Sequence, residues 1–197
     1  MTPRRLKTVL LIAGLAAAGV ALLSWTQTWF LVTLTTGQEL VVAGDAAAGA
    51  LAALALSGVV LTGALSIAGP VFRAILGVLE AVIGVLVAAS GLAALSDPQA
   101  AVAGTITDAT AVSGEVSVRE LVVSLTSTAW PAVAVAAGIL LALAGVAVTL
   151  TLRRWPDSSR RYRGARFEPA SGERSAVGDW DALSDGRDPT SPGDDAR

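Results

Sequence analysis

One carboxylate stands inside an otherwise apolar run, and it is the residue of this chain best placed to do chemistry. Glu80 lies within residues 71–95, where the only other charged residue is Arg73. An isolated charge at the centre of a bilayer is costly, so such a residue is neutral, partnered or functional. Two roles suit it. Facing a polar crevice, it would contact a proton or a substrate; facing neighbouring helices, protonated or hydrogen-bonded to Ser or Thr, it would fix packing within the protein or with a partner. A helical count puts Arg73, Gly77, Glu80, Gly84 and Gly91 along one stripe. If the helix begins near Val71, Glu80 lies about 14 Å along it, close to mid-membrane. Arg73 is one turn inside the boundary, where it can snorkel, or lean toward Glu80 through a water or a neighbouring helix.

Other chemistry has little to work with. The chain contains no cysteine and no histidine, which removes disulfides, thiolate ligands, the commonest acid-base group near neutral pH and a common metal ligand. No phosphate loop, nucleotide-binding glycine pattern or zinc motif occurs. The residues therefore assign no catalytic, cofactor-binding or metal site, and the chain reads as non-enzymatic.

The elements that must position Glu80 are membrane helices. Of 197 residues, 53% are hydrophobic and 15% charged. Nine of the 14 Lys and Arg and nine of the 16 Asp and Glu lie after Leu152, which leaves an exceptionally apolar body. Uncharged stretches cover residues 8–38, 46–72, 81–96 and 121–152. A span of hydrocarbon needs about 20 apolar residues, which predicts four crossings near 8–28, 47–68, 72–95 and 130–152. Gly69-Pro70 separates the second from the third. The fold expected is an all-α membrane protein, a four-helix transmembrane bundle over residues 1–155 followed by a disordered cytoplasmic tail, 156–197, rich in Arg, Asp, Ser, Gly and Pro.

Charge asymmetry sets the expected orientation. Arg4, Arg5 and Lys7 precede the first span, and Arg153, Arg154, Arg160, Arg161 and Arg163 follow the last. Both termini are thereby expected in the cytoplasm of a multi-pass protein of the inner (plasma) membrane. Arg73 falls on the same side, while the acidic linkers containing Glu39, Asp45, Asp97, Asp108, Glu115 and Glu120 face outward. The first span has a basic start like a secretory signal, but Trp25, Gln27 and Trp29 stand where cleavage would occur, so it is read as retained.

Small residues predict where helices meet. Gly77, Gly84 and Gly91 recur every seven residues, and the fourth span carries Gly138, Ala142, Gly145 and Thr149; both rows suit close helix packing. Trp25, Trp29, Trp130 and Trp155 are read as interfacial anchors. Trp130-Pro131 opens the last helix and Trp155-Pro156 closes it. Between spans, alternation from Phe30 to Leu34 permits a short extended piece, residues 98–111 a small surface helix, and residues 115–125 mix β-branched and polar types. The basic cluster from Arg153 suits an anionic leaflet, and the acidic residues that follow it argue against nucleic acid.

The segment Arg153-Arg154-Trp155-Pro156-Asp157-Ser158-Ser159-Arg160-Arg161-Tyr162, with Trp130-Pro131 and the four-span plan, resembles the tryptophan-associated transmembrane protein family of actinobacteria, often encoded among tryptophan-biosynthesis genes. The resemblance covers about residues 6–163. Trp25 is the nearest match to a family tryptophan after the first span, though the usual basic neighbour is absent; residues 37–40 and Arg73 also look like family positions. The family name records a genomic association and not an established reaction; the chain itself is read as a non-enzymatic accessory or interaction protein of the cell envelope, linked through that association to tryptophan metabolism. Arg153, Arg154, Trp155, Arg161 and Tyr162 would then form an inner contact region, with Arg73 and Glu80 organising the bundle or a partner interface. The expected partners are the lipid bilayer and a membrane protein or a second copy. The alternative is a small transporter, or transport component, for an aromatic amino acid or related metabolite.

Overall fold

The computed structural model describes residues 3–151 and Ser184. The account below concerns the described residues of the unit Met1–Asp157. Four apolar helices form its body: α1 (Pro3–Trp25), α3 (Leu51–Ile67), α4 (Pro70–Ser96) and α7 (Trp130–Thr151). Among the described residues, Arg5–Trp25, Pro70–Ser96 and Trp130–Thr151 are long and apolar enough to cross a membrane, whereas α3 is apolar but only 17 residues long. At 1.5 Å per residue α3 reaches about 25 Å and the 27-residue α4 about 40 Å. The molecule is thus a multi-span membrane bundle.

The helices close a ring in which α1 packs on α3, α3 on α4, α4 on α7 and α7 back on α1, the α4–α7 contact being the most extensive. Glycine makes that contact close. Cβ atoms added at Gly84 or Gly138 would run into the backbone of the facing helix, at Ala142 and Ala88 respectively, and one at Gly91 would lie 2.9 Å from the Pro131 carbonyl oxygen. Without a hydrophobic driving force between helices in lipid, such backbone approach gains dispersion contacts that larger side chains would prevent. The two small-residue rows expected from the sequence are the two sides of this one seam.

Beyond the helices lies a feature that the all-α expectation did not include. Strands β1 (Thr28–Leu34), β2 (Glu39–Ala43) and β3 (Val122–Ser127) form an antiparallel sheet in the order β2-β1-β3. The description all-α holds for the membrane bundle and not for this cap. The extended piece at Phe30–Leu34 is the central strand, pairing Leu31 with Val41 on one side and with Thr126 on the other. A hairpin joins β1 to β2, and Gly37 supplies the positive φ of 82° that its turn needs. Short helices complete the cap: α2 (Gly44–Ala47), α5 (Pro98–Thr110) and α6 (Glu115–Glu120). Asp97 caps α5 by accepting from the Ala100 amide at 3.0 Å, with Pro98 at the first helical position. One continuous apolar core runs from Ala18 and Leu141 in the bundle to Phe30, Val32 and Val42 in the sheet and Val102 and Ile106 in α5.

Candidate functional site

Glu80 is buried, with a relative exposure of 1%, and its surroundings come from three helices. On α4 it shares the inward face with Arg73, Gly77, Ile83, Gly84, Val87, Gly91 and Ala94. That face meets two neighbours: its glycines lie against α7, while Glu80 reaches α3. There Thr62 Oγ1 lies 2.6 Å from Glu80 Oε1 and 2.9 Å from the carbonyl oxygen of Gly58. The third contributor is Gly14 of α1. A Cβ at that position would sit 2.9 Å from Glu80 Oε1 and 3.1 Å from Thr62 Oγ1, so the missing side chain is what admits the pair. Thr62 is itself 4% exposed. The arrangement ties three helices at one polar point within an apolar interior.

Arg73 goes elsewhere. It lies in the first turn of α4, also buried, and its Nη2 donates to the Ala68 carbonyl at 2.7 Å, just past the end of α3. Lys7 of α1 donates to the Ser66 carbonyl at 2.8 Å. Two cations from two helices thus hold the C-terminal carbonyls of α3, groups without intrahelical partners at the negative end of the helix dipole. Arg73 therefore acts on the end of α3, and Glu80 acts on its middle.

The tryptophans separate into different roles. Trp29, expected as an interfacial anchor, is instead wholly buried under the sheet, with its indole N–H donating to the Ser24 carbonyl at 2.8 Å. A β-bulge between Thr28 and Phe30 lets both Trp29 and Phe30 face inward, which strict alternation would forbid. Gly44 makes room, since a Cβ there would meet Trp29 Nε1 at 2.7 Å. Trp25 is half-buried at the end of α1, and its indole nitrogen is buried without a hydrogen-bond partner. Trp130, half-buried at the start of α7, accepts at its carbonyl from Ser24 Oγ at 2.8 Å. Ser24 therefore joins the end of α1 to the start of α7 and to Trp29.

The structure brings Trp25 and Trp130 to one end of the bundle, and Arg73 with Lys7 to the other. Arg153, Arg154, Trp155, Arg161 and Tyr162 lie outside the described residues, as does the tail expected from residue 156 onward apart from Ser184. Among the described residues no group of three or more Asp or Glu is gathered where a metal ion could be held. Thr62, Gly14 and Ser24 were not singled out by sequence. Thr62 carried a signal, being a hydroxyl within an apolar run; Gly14 carried none among so many alanines and glycines.

A buried carboxyl hydrogen-bonded to a neighbouring helix can hold helices together. No curated protein and no solved structure matches the chain. The profile of the family described as tryptophan-associated transmembrane protein matches residues 10–190. With nearly the whole sequence, its cap, bundle and Glu80 junction included, inside that match, the chain belongs to the tryptophan-associated transmembrane protein family.

Proposed function

We propose that this protein is a non-enzymatic accessory subunit of the plasma membrane, crossing it four times with both termini in the cytoplasm and linked physiologically to tryptophan metabolism. The observation that carries the proposal is the Glu80 junction: the one carboxylate of the bundle interior is engaged by Thr62 and shielded at Gly14. A residue so placed sets the shape of a scaffold. A transport role would need polar side chains along a path. Instead, a groove of about 550 Å³ between α1 and α7 is lined by Ala, Val and Leu alone, Ala13, Ala17, Val133 and Leu140 among them.

The four-crossing topology has structural support. Lys7, Ser66 and Arg73 cluster at one end, where Leu10, Leu11, Leu65, Leu76 and Val148 also pack together. The start of α1, the end of α3, the start of α4 and the end of α7 therefore share that end, as an up-down-up-down bundle requires. Basic residues at it favour the cytoplasmic side. The opposite end carries the sheet and the acidic residues, and gives a partner its exposed surface. Here α3, the short helix, crosses with both ends fixed, by the two cations on one side and by the Ala48–Leu51 turn on the other.

The test is recovery of the full chain from nanodiscs followed by mass spectrometry. A reproducible membrane-protein partner is expected; recovery of the bait alone would remove the accessory reading. Uptake of aromatic amino acids supplies the other arm. If deletion alters uptake, and wild type but not Glu80→Gln restores it, transport replaces the proposal.

A further inference from the structure

We propose that Glu80 is the donor in its bond with Thr62: the neutral carboxyl gives its hydrogen to Thr62 Oγ1, and Thr62 gives its own to the Gly58 carbonyl. The argument is a hydrogen count. Thr62 Oγ1 stands 2.6 Å from Glu80 Oε1 and 2.9 Å from Gly58 O, both within O–H···O range. Two full bonds need two hydrogens and a threonine hydroxyl has one, so an ionised Glu80 would have to share that single hydrogen with Gly58. A backbone carbonyl has none. A neutral carboxyl supplies the second hydrogen, and both contacts of Thr62 Oγ1 are then full hydrogen bonds.

The surroundings agree. An ionised Glu80 would receive a single hydroxyl, with Gly14 offering no side chain on its other flank. The charged residues on the packed elements are Arg4, Arg5 and Lys7 of α1 and Arg73 of α4 itself; α3 and α7 contain none. Lys7 and Arg73 donate to carbonyls at the end of α3, and Arg73 is seven residues, about 10 Å of helix rise, from Glu80. A carboxylate that deep in hydrocarbon would be far from compensation. The junction is consequently a neutral interhelical link, which rests on α4 crossing the bilayer and is independent of the accessory role.

Infrared spectroscopy of the full chain in nanodiscs at pH 8, with and without ¹³C-labelled glutamate, reads the donor directly. A protonated-carboxyl stretch is expected that moves on labelling and on exchange into D₂O, and that disappears in Glu80→Gln. Thr62→Val separates the alternatives even if Glu80→Gln folds poorly. If Glu80 donates, the band is present in wild type and shifts to higher frequency when its acceptor is removed. Absence of a glutamate-derived band in wild type, or its appearance only in Thr62→Val, overturns the proposal. A failed partner search would leave the band unchanged.

Discussion

Gly14→Ala places one methyl group against the polar junction, and the structure fixes what it meets. The new Cβ would lie 2.9 Å from Glu80 Oε1, 3.1 Å from Thr62 Oγ1 and 3.4 Å from Thr62 Cγ2. Glu80 has a flexible side chain and can retreat, but only by lengthening its 2.6 Å contact with Thr62. Loss of that buried bond costs about 0.5–1.5 kcal/mol, and a shift of α1 instead falls in the overpacking range of about 1–3 kcal/mol. Gly19→Ala on the same helix is the control: its Cβ has nothing within 4 Å, so only the helix-propensity gain of about 0.5–1 kcal/mol remains. Unfolding in detergent titrations should therefore find Gly14→Ala less stable than Gly19→Ala by about 0.5–3 kcal/mol, a tenfold change in the unfolding equilibrium per 1.4 kcal/mol. In a Glu80→Ala background the steric term should largely vanish. Equal stability of the two alanine variants, or an unchanged difference after Glu80→Ala, would refute the reasoning.

The remaining predictions use other joints of the bundle. Gly84→Ala drives a methyl into the α7 backbone at Ala142, which has no rotamer to change; destabilisation of about 3 kcal/mol is expected against Gly63→Ala, whose Cβ has nothing within 4 Å. Trp29→Phe and Trp25→Phe remove the same ring volume. The first breaks a bond to Ser24 and the second removes an orphaned donor, so thermal unfolding should show Trp29→Phe the less stable by about 1 kcal/mol. Arg73→Gln removes a charged donor from the Ala68 carbonyl, and hydrogen exchange in the last turn of α3 should accelerate by about tenfold or more while the α4–α7 seam stays protected.

How far these joints are legible in sequence depends on the physics behind each. The glycine rows were visible because close helix approach in lipid demands small residues at helical spacing, and both rows survive as one seam. Glu80 was visible because a carboxylate in an apolar run has few explanations. Its partners were not: Gly14 works by lacking a side chain, and glycines are common in α1. The sheet is legible only at its central strand, where alternation marks Phe30–Leu34; its two partners are not, because hydropathy reports apolarity and not which strands pair. The uncharged stretch 8–38 continues without a break, yet α1 stops at Trp25 and the chain enters β1. Trp29 departs from expectation for a related reason: a tryptophan after a span suits the headgroup region, but the bulge between Thr28 and Phe30 and the space left at Gly44 seat it in the core. The basic segment from Arg153 that carries the family resemblance lies outside the described residues.

The central claim, that Glu80 holds the bundle together through Thr62, is tested most directly by a double-mutant cycle in nanodiscs with Thr62→Val, Glu80→Met and the combined variant. The account predicts a coupling of at least about 0.6 kcal/mol and up to about 1.7 kcal/mol, the average and the maximum found for interhelical hydrogen bonds within membranes. Additivity of the two substitutions within about 0.3–0.5 kcal/mol would contradict it, because two side chains that share one bond cannot act independently.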